Sequence, residues 1–216
     1  MTAQHASASP LFIVLEGIDG AGTTTQTERL CATLVRWGRR ARATREPSQG
    51  PIGLLLRQAL QGGLAVGSGA PLDGGTMALL FAADRRDHLQ REIEPALQAG
   101  DDVVSDRYLL SSLAYQAEEA NRSWVETLAR GIRSPHLTIL LDVSVEVAAA
   151  RRRAAGRITE RYDADETQQK VASNYRTLAR LYPNVEVLDG GGSIAEVEQA
   201  IADVVARHLG AQGTPG

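Results

Sequence analysis

Lysine is almost missing from this chain. Of its 23 basic residues only Lys170 is lysine, and the others are arginine. A codon bias toward GC-rich triplets explains most of that skew, but the chemical consequence holds either way. Phosphates must be met here by guanidinium forks, which suit bidentate contacts to oxyanions. Cysteine is equally scarce. Cys31 stands alone, so no internal disulfide can form, which fits a reducing compartment. Its place in a helical stretch reads as a small core hydrophobe. No apolar run approaches the length of a membrane span. The opening MTAQHASASP lacks a basic region followed by an apolar stretch, so it does not read as a secretory signal. The four histidines are scattered without ligand spacing, and no zinc site is expected. A formal charge of −3 argues against a nucleic-acid binder held by global charge. The expectation is a cytoplasmic protein with no membrane and no nucleic-acid partner.

The 216 residues, 43% hydrophobic and 23% charged, are ordinary for a globular chain. Short apolar runs alternate with longer amphipathic segments. Strands are expected over 11–17, 41–47, 102–107, 137–144 and 185–190. Helices are expected over 23–38, 51–63, 76–100 with a kink or restart near Pro95, parts of 111–133, 145–156, 165–182 and 193–209. The glycine-rich stretch 62–75 reads as an irregular loop beside a site. Trp37 and Trp124 read as packing residues. Strands apolar on both faces indicate a parallel sheet covered by helices on both sides, an α/β fold. One unit over 10–209 is expected, with flexible tails at 1–9 and 210–216.

The stretch IVLEGIDGAGTTTQTERLCATL at 13–34 carries the strongest chemical signal. Gly17 and Gly22 frame the G-x-x-x-x-G spacing of a phosphate loop between strand and helix, with Asp19, Gly20 and Ala21 inside it. Glycines let successive N–H groups turn inward at phosphate oxygens, and the helix starting near Thr23 adds its positive end. Thr24 stands where a hydroxyl would ligate Mg²⁺, and Thr25 follows in the first turn. Thr23 occupies the position of the lysine that such loops normally carry. Losing one such stabilising group typically costs on the order of 10²–10³ in rate, while a well-placed arginine can be worth roughly 10³–10⁵ in phosphoryl transfer. Candidates lie in the arginine-rich stretch RRRAAGRITERYD at 151–163.

From about Leu11 to Leu209 the chain resembles thymidylate kinases. The resemblance rests on EGIDGAG at 16–22, REP at 45–47 with PIGLLLR at 51–57, LFAADRRDH at 80–88, DRYLLSSLAYQ at 106–116, the arginine-bearing hairpin ending in RYD at 161–163, and VLDGGGSIAEV at 187–197. It implies a P-loop kinase-like sheet with an arginine-rich lid at about 151–164, ATP and Mg²⁺ as cofactors, dTMP as acceptor, and a homodimer formed through helices. The chain departs from the family at Thr23, and at Ser48-Gln49-Gly50, where the family usually has Gly-Gly-Thr.

The roles follow. Arg107, at a strand's C-terminal edge where open α/β sheets bind ligands, would fork onto the acceptor phosphate or lie between donor and acceptor. Asp106 beside it would hold Mg²⁺ or orient the arginine. By resemblance Asp19 faces the acceptor phosphate and Mg²⁺. Arg45 is a second acceptor-phosphate candidate, and Glu46 would hold an arginine or approach the metal. Phe81 and Arg85 share a helix face, so a base would stack on the ring while Arg85 donates to a carbonyl such as thymine O4. Ser111 and Ser112 are acceptor-side hydroxyls, with Ser112 at the base edge. Tyr115 would pack against deoxyribose, and Gln116 completes the set. Gly190 belongs to the adenine-side turn. Arg157 and Arg161 are the expected substitutes for the lysine. Two alternatives stay open: a monophosphate kinase for another base, and a non-catalytic nucleotide-binding homologue.

Overall fold

The computed structural model describes residues 9–116, 119–156 and 160–212. Five strands form one parallel sheet in the order β2-β3-β1-β4-β5. They are β1 (Phe12–Glu16), β2 (Ala41–Arg45), β3 (Asp102–Asp106), β4 (Leu137–Asp142) and β5 (Val185–Asp189). β1 is central because it is apolar on both faces. Ile13 and Leu15 enter one core cluster with Leu34, Val104, Ile139 and Tyr175. Phe12 and Val14 point to the other face, against Leu89, Ile93, Val103 and Tyr108, as the two-residue period of a strand requires. The edge strands β2 and β5 depart from the expectation of apolar faces throughout: both are only half-buried or exposed along their length.

The helices are α1 (Thr23–Arg36), α2 (Pro51–Leu60), α3 (Gly74–His88), α4 (Glu94–Gln98), α5 (Leu109–Tyr115), α6 (Arg122–Leu128), α7 (Val145–Ala154), α8 (Asp165–Leu181) and α9 (Ile194–Gln212). α3 starts at an Asp73 cap whose carboxylate accepts the Thr76 N–H at 2.8 Å. The expected break near Pro95 takes the form of a π-turn over Leu89–Ile93 leading into α4. Proline brings no N–H and clashes with the carbonyl four residues back, so the helix widens before it. α9 runs on to Gln212, into the expected tail. Trp37 and Trp124 are 43% and 37% exposed, and the Trp124 ring lies against the start of α3 at Gly75, while Cys31 is only half-buried and so is not the core residue expected. Among the described residues no helix is long and apolar enough to cross a membrane.

β1 lies between β3 and β4. The loops that leave β1 and β3 at their C-terminal ends therefore meet over the sheet, and the site is built there.

Candidate active site

The loop between β1 and α1 is shaped by close approach. Gly20 and Gly22 have φ of 94° and 98°, the left-handed region that side chains disfavour. A Cβ at Gly20 would lie 2.4 Å from the Ala148 carbonyl oxygen of α7. The Ala21 N–H closes a turn on the Ile18 carbonyl at 3.0 Å, while the N–H groups of Gly20, Gly22, Thr23 and Thr24 find no partner among the described residues. Among the described residues no side chain caps α1. Bare donors and the positive helix end make an anion cradle. Thr23 is buried and lines the cleft beneath it.

Thr24 Oγ1 donates to Asp106 Oδ2 at 2.5 Å. The other carboxylate oxygen, Asp106 Oδ1, is buried without a partner among the described residues. A buried carboxylate oxygen with no donor is costly, and a hard oxygen beside a hydroxyl at a phosphate cradle fits Mg²⁺. Among the described residues no three His, Cys, Asp or Glu cluster as metal ligands. That agrees with the ion's habit of keeping waters and substrate phosphates as its remaining ligands.

Arg107 has φ of 74°, a strained backbone for a residue with a side chain. Its N–H donates to Leu15 O at 2.9 Å and its carbonyl accepts from Ser105 Oγ at 2.8 Å. The next turn is tied to Glu16, whose carboxylate accepts from Tyr108 N at 3.0 Å, Ser111 Oγ at 2.6 Å and Tyr175 Oη at 3.0 Å. Burial pushes the Glu16 pKa up, against the hydrogen bond from Ser111 and the Arg107 charge, which pull it down. Thus fixed, the Arg107 guanidinium reaches Gly17 O at 2.8 Å and Asp19 Oδ1 at 2.8 Å. Asp19 Oδ2 accepts from Tyr115 Oη at 3.2 Å and from Gln168 Nε2 at 2.9 Å, and Gln168 Oε1 takes the Asp19 N–H at 3.1 Å.

The far half of the cleft is built on α3. Arg85 donates from Nε and Nη2 to Glu46 Oε2 at 3.0 and 2.9 Å, and from Nη2 to Ser112 Oγ at 2.8 Å. Phe81 and Gln116 line the cleft beside it, and Gln116 Oε1 is buried with no partner among the described residues. Arg45 lines the same cleft, as does Arg57. Burial, then the nearby Arg45 charge, lowers the Arg57 pKa, so two cations crowd one space that would welcome an anion. Ser48 anchors the departing Ser-Gln-Gly turn: its N–H and hydroxyl donate to the two oxygens of buried Asp84 at 2.8 and 2.6 Å. Gly53 is required behind it, since a Cβ there would meet Ser48 O at 2.1 Å.

The expected site residues divide accordingly. Asp19, Thr23, Thr24, Arg45, Glu46, Phe81, Arg85, Asp106, Arg107, Ser111, Tyr115 and Gln116 share one cleft of about 370 Å³. Ser112 stands behind Arg85, and the Ser111 hydroxyl is engaged by Glu16. Arg161 is turned elsewhere. It donates to Glu119 Oε2 at 2.9 Å and to Leu72 O at 2.6 Å. Arg157 lies outside the described residues. The arginines that reach the phosphate loop from α7 are Arg151 and Arg152, and Arg151 also meets Gly190 O at 2.9 Å. Sequence reasoning passes over Glu16 and Gln168. An acid closing an otherwise apolar strand is a readable signal for the first; nothing local marks the second.

A family model described as thymidylate kinase matches residues 15–201. A probable thymidylate kinase of Thermococcus gammatolerans is 36% identical over 202 residues, 92% of this chain and 97% of the relative. One from Pyrobaculum calidifontis is 40% identical over 203 residues, covering 92% and 97%. A thymidylate kinase of Burkholderia ambifaria is 38% identical over 211 residues, covering 92% and 98%.

Proposed function

Because the chain belongs to the thymidylate kinase family, a family of nucleoside monophosphate kinases, we propose that it transfers the γ-phosphoryl group of ATP to dTMP, giving dTDP and ADP. The observation that carries this reading is the single cleft with the phosphate loop at one end and Phe81, Arg85 and Gln116 at the other.

The transfer is direct and in line. Phosphoryl transfer asks for positioning and positive charge more than for a strong base. The acceptor phosphate sits between Arg45 and Arg107, and Asp19 holds Arg107 in place. Among the described residues no cysteine or histidine lines the cleft, and attack by the acceptor phosphate oxygen needs no covalent intermediate. Thr24 and Asp106, with Asp19 near them, would hold Mg²⁺, which when bound neutralises charge on the phosphate oxygens. At the base end thymine stacks on Phe81 while Arg85 donates to O4. The partnerless Gln116 Oε1 supplies an acceptor for the N3–H of thymine, which cytosine lacks. Tyr115 packs against the deoxyribose.

Charge at the γ-phosphate comes from the lid, from Arg161 and Arg157 in place of the lysine. For Arg161 this means exchanging Glu119 for phosphate oxygens once ATP is bound. The reaction belongs in the cytoplasm, and one cysteine fits that setting. The working form is a homodimer. Leu54 and Leu55 on α2 and Leu79 on α3, two helices that pack together, are 53%, 40% and 51% exposed and need a cover.

Purified protein assayed for ADP release with a panel of monophosphates tests the reading. dTMP should turn over fastest; faster turnover of dCMP or UMP would replace the acceptor, and no product with any would end the kinase reading.

A further inference from the structure

Each peptide unit of the phosphate loop has two ends, and α7 grips the outer end of two of them. Arg152 Nη1 donates to the Asp19 carbonyl at 2.5 Å and Arg151 Nη1 to the Ala21 carbonyl at 3.3 Å. The N–H groups on the opposite ends of these two peptide units are those of Gly20 and Gly22. They have no partner among the described residues and belong to the cradle. Arg152 is 9% exposed, and Arg151 shares the same Nη1 with the Gly190 carbonyl at 2.9 Å and donates from Nη2 to the Gly192 carbonyl at 3.1 Å. Both guanidinium groups are thus held in place before any substrate arrives. α7 also lies so close that no side chain fits at Gly20.

We propose that Arg151 and Arg152 are positioning residues that do part of the missing lysine's work from behind the loop. A cation donating to a peptide carbonyl draws electron density toward it and makes the N–H of the same unit a stronger donor, because chained hydrogen bonds polarise one another in a low-dielectric setting. The Gly20 and Gly22 amides then hold a triphosphate more tightly than bare amides do. The two arginines need not touch the phosphate. A lysine at position 23 would supply a direct point charge and make this reinforcement partly redundant. The inference rests on the site being the ATP cradle of the proposed function, and goes beyond it by assigning residues that act on the triphosphate through the backbone of the loop.

The test is a set of ATP-binding measurements by calorimetry, with Mg²⁺, on the full chain. Arg152→Met, which keeps the apolar stem and removes the donors, should weaken ATP binding about tenfold. In a Thr23→Lys background the same change should cost no more than about threefold. Arg152→Lys, which keeps a cation behind the loop, should recover most of the loss. Arg151→Met should repeat the pattern with a smaller amplitude, and it serves if Arg152→Met melts too low to be measured. Equal losses with threonine and with lysine at position 23 would reduce both arginines to structural props and overturn the proposal, as would no loss at all. Turnover of dTMP is recorded alongside. A wild-type protein that binds ATP yet makes no dTDP would sink the proposed activity, while the binding series would still decide the role of the two arginines.

Discussion

Arg85 and Glu46 form an ion pair sealed from solvent, with Nη2 2.9 Å from Oε2 and each side chain 3% exposed. His88 Nδ1 lies 3.4 Å from the second Glu46 oxygen, and the Arg85 guanidinium stands 5.2 Å from the centre of the Tyr108 ring. Taking one partner away leaves the other charge buried, at a cost of about 3–5 kcal/mol. Arg85→Met should therefore lower unfolding stability by roughly 3 kcal/mol in urea titrations and raise the KM for dTMP. Adding Glu46→Gln to that variant should recover part of the stability. If the double variant falls by the sum of the two single losses, the pair is not coupled as the geometry requires.

Asp106 is held by one oxygen and left bare on the other. Asp106→Asn keeps the shape and a contact to Thr24 but removes the charge that a divalent cation needs. The expected result is a kcat lower by roughly 10²–10³, with the Mg²⁺ concentration for half-maximal rate shifted upward. Titrating MgCl₂ at saturating ATP and dTMP measures both. An unchanged Mg²⁺ dependence would remove Asp106 from the metal site.

Local chemistry makes the loop, the sheet class and most of the cleft legible. Gly17, Gly20 and Gly22 lie within six residues, and the strand before and helix after have clear periods. Phe81 and Arg85 share a face because they are one turn apart. What escapes depends on distant pairing. Gln168 clamps Asp19 across 149 positions and Tyr175 reaches Glu16 across 159, and no spacing rule announces either. Arg161 stands out by its place in a basic hairpin, but its direction is set by Glu119 and Leu72, which the hairpin's own sequence does not contain. The central strands are readable because both faces are apolar, whereas edge strand β2, with sequence ARATR, lacks one buried face and is marked mainly by the proline that closes it.

Glu16 makes stability depend on pH, with a sign set by burial. Its pKa is raised in the folded state, with burial the largest cause. The folded protein therefore holds the Glu16 proton more tightly than the unfolded chain does. This contribution to stability is complete below about pH 4.5, the ordinary value for the group, and is lost as pH rises through the raised value. Glu16→Gln cannot ionise. It should start less stable at low pH, having exchanged a carboxyl for an amide among Tyr108, Ser111 and Tyr175. Its deficit should then shrink as pH rises from 5 to 8. Denaturant unfolding of both proteins across that range gives the difference directly, and a deficit that widens with pH would contradict the assignment.

Thr23 and Arg161 set the sharpest test of where the charge comes from. If guanidinium groups replace the ammonium, Thr23→Lys adds a charge to a site that already has one and should change kcat only a few-fold. Arg161→Ala should lower kcat by roughly 10²–10³, with the KM for dTMP little altered, because Arg161 is absent from the lining of the cleft. Glu119→Gln is the informative companion. It weakens the carboxylate that holds Arg161 at 2.9 Å, so it should leave kcat intact or raise it, whereas a purely structural strap would make Glu119→Gln and Arg161→Ala equally harmful. Single-turnover measurements with ATP and dTMP separate the chemical step from product release and so report on the arginine itself. Should Thr23→Lys raise kcat by several orders of magnitude while Arg161→Ala changes little, the charge was missing all along and Arg161 only fastens the hairpin.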